Sequence, residues 1–140
     1  MKYYAVIDTN VIVSSFIKPD SIPARIVRLA LSDKITIFIS DEIFNEYFEV
    51  LFRSKFNFSF EMINSFLEVI RKKAIKMQNV SDSALYFIDK SDEVFFEVTM
   101  ASRDLFDTKL VTGNQRHFPD VDFVVSPREM LEYYLATENA

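Results

Sequence analysis

The first apolar run of the chain, Tyr3 to Ile7, ends directly on Asp8-Thr9-Asn10. A carboxylate that closes a buried strand is costly to desolvate unless a partner or a cation stands beside it. In open α/β sheets, the carboxyl ends of the strands are where ligands bind. Asp8 therefore points to the other acids that a fold could bring to it. Glu46 lies in Ser40-Asp41-Glu42-Ile43-Phe44-Asn45-Glu46-Tyr47. At about 100° per residue it falls on the border of that segment's apolar face. Glu49 falls away from the face and should be solvated. Taken alone, Glu46 reads as an ordinary boundary glutamate. Asp92 opens Asp92-Glu93-Val94-Phe95-Phe96-Glu97-Val98-Thr99. The helix dipole also favours an acid in a first turn, and it accounts for Glu93 equally well. Asp89, in the preceding loop, competes for the same role.

A further strand end, Leu110-Val111-Thr112-Gly113-Asn114, carries the only glycine of the chain. Glycine there permits a turn or a close approach of backbone or ligand. Thr112 and Asn114 would add neutral oxygens. Three carboxylates with neutral oxygens are hard ligands suited to Mg²⁺ or Mn²⁺. Such a site can activate a water and steady the charge at a phosphodiester.

The elements that must position these residues follow from apolar spacing. Short runs rich in β-branched or aromatic residues recur at Tyr3–Ile7, Ile35–Ile39, Lys109–Thr112 and Asp122–Val125. Helical patterns separate them. Ile22, Ile26, Leu29 and Ala30 form one stripe. Ile43, Phe44, Tyr47, Val50 and Leu51 form another, capped by Ser40 or Asp41. Phe60, Ile63, Leu67, Ile70, Ala74 and Met77 form a third, with Met62, Phe66 and Val69 on a second side of the same helix. That second side is read chiefly as core, with a subunit contact as the alternative. A further helix is predicted from Ser91-Asp92 to about Arg103. The last starts at Ser126-Pro127-Arg128-Glu129, where a serine cap, a first-position proline and a third-position glutamate agree. Strands alternating with helices imply a parallel sheet covered on both faces, an α/β fold.

The 140 residues fit a single domain spanning 1–140, and 49% hydrophobic residues can build a core. No cysteine is present, which removes disulfides, thiolate metal sites and a cysteine nucleophile. No apolar stretch approaches the roughly 20 residues of a membrane span, and no signal peptide is apparent. The expected location is the cytoplasm, with no membrane partner. A net charge of -5 argues against a non-specific nucleic-acid binder. It leaves room for a nuclease whose acids are gathered around a metal ion.

At these residues the chain resembles the PIN-domain family along essentially its whole length. Asp8-Thr9-Asn10-Val11 resembles the family's opening motif, and Ser40-Asp41-Glu42-Ile43 with Glu46 its second acidic helix. Asp89 to Phe96 resembles the third segment, with Asp92 at the acidic position. Thr112-Gly113-Asn114 with His117-Phe118 resembles the fourth strand end. The resemblance implies a three-layer α/β/α sandwich around a central parallel sheet of four to five strands. It implies a Mg²⁺- or Mn²⁺-dependent endoribonuclease, the toxin of a toxin–antitoxin pair, restrained by an antitoxin protein and often a homodimer. In that scheme Asp8, Glu46 and Asp92 hold the metal, Asn10 orients Asp8, and Asn114 fills a position where many relatives carry Asp. The Asn keeps an oxygen but removes a charge.

Alternatives are a PIN-like interaction module with weak or no catalysis, or a housekeeping RNA-processing nuclease. A phosphatase that uses an aspartate after its first strand needs a second acid two residues on, where this chain has Asn10. A receiver domain needs a phosphoacceptor on a later strand, and Ile35–Ile39 offers none. His117, the only histidine, could contact phosphate or shuttle protons, but beside Phe118 and Pro119 it reads first as a structural or surface residue. Arg116 is the candidate for touching an RNA backbone. The cluster Arg71, Lys72, Lys73 and Lys76 could track phosphates, or simply complement a helix C-terminus.

Overall fold

The computed structural model describes residues 2–78 and 90–139. The first strand, β1 (Tyr4–Ile7), leads through Asp8 into helix α1 (Thr9–Ile17). Helix α2 (Ile22–Leu31), strand β2 (Thr36–Ile39) and helix α3 (Asp41–Leu51) follow. Helix α4 (Phe60–Lys73) precedes the short strand β3 (Ile75–Lys76). Helix α5 (Lys90–Ser102) feeds β4 (Thr108–Val111), and a 3-10 turn (Gln115–His117) follows it. Strand β5 (Val124–Val125) and helix α6 (Pro127–Glu138) complete the order.

Among the described residues the strand pairs are all parallel, in the order β3-β2-β1-β4-β5. Ala5, Val6 and Ile7 of β1 are buried, as are Leu110 and Val111 of β4. That continuous burial is what a parallel sheet covered on both faces requires. Among the described residues six helices flank the sheet: α5 contacts β1, β2 and β4, while α6 contacts β4, β5 and α2. From β1 the chain winds outward through β2 to β3, then returns to place β4 on the other side of β1. The order reverses between β1 and β4, and a crevice opens at the carboxyl ends of strands at such a point.

Local signals explain most of these boundaries. Ser40 caps α3 by accepting from the Ile43 N–H, as its position in the sequence suggests. At α6, Ser126 Oγ accepts from the Glu129 N–H at 3.0 Å and Glu129 Oε1 accepts from the Ser126 N–H at 2.8 Å. This is the reciprocal cap that Ser126-Pro127-Arg128-Glu129 encodes.

Two elements depart from the pattern. The stripe from Phe60 predicts a helix reaching Met77, but α4 ends at Lys73. Ile75 and Lys76 instead pair with Phe38 and Ile39 and add a fifth strand at the sheet edge. Met77 continues that pairing through its N–H to the Ile39 carbonyl. Helix α1 lies where no helical stripe was predicted. Val11, Ile12 and Val13 are β-branched and favour strands on propensity alone. Asp89 lies outside the described residues.

Met62 and Phe66 separate on α4: Phe66 is buried and Met62 is 59% exposed. With Phe16, Val27 and Val69 they line a largely apolar groove of about 420 Å³ between α1, α2 and α4. Among the described residues, no helix is long and apolar enough to cross a membrane.

Candidate active site

The reversal between β1 and β4 places Asp8 next to Thr112. Ile7 pairs with Val111, and the Asp8 N–H donates to the Val111 carbonyl at 2.9 Å. One residue further, the Thr112 hydroxyl donates to Asp8 Oδ2 at 2.7 Å. Thr112 Oγ1 also accepts the Asn114 N–H at 3.0 Å. Thr112 is buried with its hydroxyl engaged on both sides, so it holds Asp8 rather than offering a ligand oxygen as its position suggests.

Asp8 stands at the cap position of α1 without forming the side-chain cap to the helix, although the Thr9 backbone N–H lowers its pKa. Its side-chain partners are Thr112 and Asn10, whose Nδ2 donates to Oδ2 at 3.2 Å. Asn10 Oδ1 in turn accepts the Gly113 N–H at 3.0 Å. A β-carbon at Gly113 would lie 3.3 Å from that Oδ1, so the only glycine of the chain leaves room for the Asn10 amide. The Asn10 side chain thus ties the ends of β1 and β4 together.

Asp8 is only 4% exposed. Burial pushes its carboxyl up to about 6 from an ordinary 3.8. The Thr112 hydroxyl opposes that rise, the nearby Asp92 charge adds to it, and His117 opposes it. Asp92 and His117 are therefore within electrostatic reach of Asp8. Asp92 sits in the first turn of α5, and its Oδ2 lies 3.3 Å from His117 Nδ1.

Glu46 comes in from α3, half-buried, whereas Glu49 is exposed and bridges to Arg53 at 3.4 Å. The Thr9 hydroxyl donates to Glu46 Oε2, linking the residue after Asp8 to the second acid. The neighbouring Tyr47 is fully buried and donates its hydroxyl to the Ile7 carbonyl, anchoring α3 to the end of β1. Burial raises the Tyr47 phenol well above 10, and the charges of Asp8 and Glu46 raise it further. Asn114 is exposed after β4; its backbone N–H, not its side chain, makes the contact to Thr112.

The structure thus gathers Asp8, Asn10, Glu46 and Asp92 around the end of β1, with Asn114 at the rim. Thr9 carried no reading of its own, Tyr47 read only as part of an apolar stripe and His117 first as a structural or surface residue, yet each contacts the site. Thr9 stood in plain view inside Asp8-Thr9-Asn10, but its partner is 37 residues away.

A family model for the PIN domain matches residues 4–116 of the chain. The chain belongs to the PIN-domain family. The PIN domain is a nuclease fold, and the matched span contains Asp8, Asn10, Glu46, Asp92 and Asn114, while His117 lies just beyond it. No curated protein matches this PIN domain. PIN domains generally use divalent metals, and the donors here are of the right kind. They are carboxylate oxygens without sulfur, and one is a buried acid whose charge is opposed by burial and by a second acid. A divalent cation beside Asp8 would relieve both costs. Among the described residues, no three acidic or histidine side chains stand together as a finished coordination shell. Mg²⁺ keeps several waters and commonly takes only one or two carboxylates from the protein.

The basic cluster of the PIN domain is engaged locally. Lys73 bonds the Leu31 carbonyl and Asp33, Lys72 lies 3.7 Å from Glu68, and Lys76 bridges Asp41 at 2.8 Å. Arg71 stacks over the Phe44 ring. These contacts favour a structural role for the cluster. Arg116 differs: it is exposed beside His117, and among the described residues nothing pairs with it.

Proposed function

We propose that this protein is a Mg²⁺- or Mn²⁺-dependent endoribonuclease that hydrolyses RNA phosphodiester bonds. The observation that carries the reading is Asp8, a buried carboxylate at the β1–β4 crevice, approached by the charge of Asp92. Asp8, Glu46 and Asp92 would hold the ion. When bound, it supplies a Lewis acid and an activated water. The rest of the work falls to the chain. Thr112 and Asn10 orient Asp8, and Thr9 orients Glu46. Tyr47 fixes the strand end that carries Asp8. Arg116 takes an RNA phosphate at the rim, and Asn114 supplies a neutral oxygen where a fourth acid would add charge.

The biological role we favour is that of a toxin held inactive by a cognate antitoxin in the cytoplasm. The apolar groove lined by Phe16, Met62 and Phe66 supports a protein partner or a homodimer. Incubation of a panel of RNAs with the protein and Mg²⁺ or Mn²⁺, against EDTA and against Asp8→Asn, tests the chemistry. Metal-dependent cleavage that Asp8→Asn abolishes supports it. Cleavage in EDTA, or full activity in Asp8→Asn, overturns the mechanism. Absence of cleavage together with tight binding of a protein partner would favour an interaction module.

A further inference from the structure

His117 is mounted firmly. It closes the 3-10 turn that follows β4, with its N–H donating to the Asn114 carbonyl at 2.9 Å. On one side, Gln115 Nε2 donates to the Val124 carbonyl at 3.3 Å and to Glu129 at 2.9 Å. On the other, Phe118 is buried in the core. The imidazole therefore projects from a turn fixed at both ends.

Its partner belongs to a different element. Asp92 opens α5, and its side chain is 13% exposed against 41% for His117. A carboxylate only accepts hydrogen bonds, so the Nδ1 facing Asp92 Oδ2 at 3.3 Å carries the hydrogen. One oxygen of Asp92 is engaged in this way by a group from a different element. Carboxylates that bind metals are generally held by such an outer hydrogen bond.

We propose that His117 is a positioning residue for the metal centre: its Nδ1–H holds Asp92 in the orientation that binds the divalent ion. The role rests on the metal-dependent reading of Asp8, Glu46 and Asp92 given above. It differs from proton transfer, because a hydrogen-bond donor that cannot titrate suffices for it. It also differs from an exposed ion pair that merely joins two elements, which would leave metal affinity untouched.

Asparagine separates these roles. Its Nδ2 replaces the imidazole Nδ1 in reach and donates a hydrogen bond, but it carries no proton to transfer. Mn²⁺ is titrated calorimetrically into the EDTA-stripped full chain at pH 7, for wild type, His117→Ala and His117→Asn. RNA cleavage is then measured at saturating Mn²⁺. His117→Ala is expected to weaken Mn²⁺ binding by about 10–100-fold, and His117→Asn to restore most of that loss. Both variants are expected to recover most of the cleavage rate once Mn²⁺ saturates. Unchanged Mn²⁺ affinity in His117→Ala overturns the role, and so does an Asn variant as weak as the Ala variant. Wild type that binds Mn²⁺ but cuts no RNA overturns the nuclease reading alone, since the affinities still decide the role of His117. Wild type that binds no Mn²⁺ overturns both.

Discussion

The Thr112 hydroxyl donates to Asp8 Oδ2 at 2.7 Å while accepting the Asn114 N–H, so the end of β4 governs the acid at the end of β1. The parallel register that pairs Ile7 with Val111 makes this contact unavoidable once the two strands align. Thr112→Val keeps the shape and removes the hydroxyl. The Asp8 carboxylate then loses a buried donor, at a cost of about 1–3 kcal/mol. Urea denaturation at pH 7 should show that loss, and Thr112→Ser should recover most of it. Cleavage by Thr112→Val should fall about tenfold or more.

Asp8 sets a pH dependence of unusual sign. Its folded value, about 6, lies above its ordinary 3.8. Between those values the folded chain binds a proton that the unfolded chain has released. Stability of the metal-free protein therefore falls as pH rises from about 4 to 6, through this one group. Two units correspond to about 3 kcal/mol at neutral pH. Asp8→Asn removes the charge while keeping the shape. Metal-free denaturation curves should show the variant more stable than wild type at pH 7, with the difference vanishing near pH 4. A variant less stable than wild type at pH 7 would contradict the burial argument.

Gly113 leaves room for the Asn10 amide, which bridges it to Asp8. In Gly113→Ala the new β-carbon meets Asn10 Oδ1 at 3.3 Å. The amide must give by a few tenths of an ångström, at the expense of its bond to Asp8. Stability should fall by about 1 kcal/mol, the low end of what an inserted carbon costs, while cleavage falls by about tenfold or more. Parallel melting curves and cleavage rates check the split. A large stability loss with proportionate activity loss would place the effect in the fold instead.

Thr108 marks a weakness away from the site. It is fully buried, and among the described residues its hydroxyl has no hydrogen-bond partner. Thr108→Val replaces that hydroxyl with a methyl group and should add about 1 kcal/mol of stability. Chemical denaturation measures the gain, and cleavage should not change.

These contacts show what sequence spacing carries and what it cannot. β1, β2, β4 and β5 were readable because parallel strands are near-continuous apolar runs. Asp8 and Asp92 stood out as candidates because they sit at a strand end and in a helix first turn, and Glu46 because it falls on the border of an apolar helix face. Strand β3 was hidden, because Ile70, Ala74 and Met77 keep helical spacing past the point where α4 ends at Lys73. Helix α1 was hidden because Val11, Ile12 and Val13 are β-branched, and tertiary burial overrides that propensity. The contacts that hold the site were hidden for another reason. Thr9 meets Glu46, Tyr47 meets Ile7, and His117 meets Asp92, each through a contact that exists only once separate elements pack. The basic run near Arg71 shows the converse, since a charge cluster in sequence becomes a set of local pairs in space.

The central claim is that Asp8, Glu46 and Asp92 act together through a divalent ion on RNA. The most direct measurement is the single-turnover cleavage rate of one labelled single-stranded RNA across a Mn²⁺ titration. Wild type is compared with Asp8→Asn, Glu46→Gln and Asp92→Asn. Outer hydrogen-bond partners of a metal site are worth about 10–100-fold, so each of these substitutions should cost more than about 100-fold at fixed Mn²⁺. The wild-type rate should rise with Mn²⁺ and vanish in EDTA. A wild-type rate independent of Mn²⁺, or any one of the three variants cutting as fast as wild type, would contradict the account.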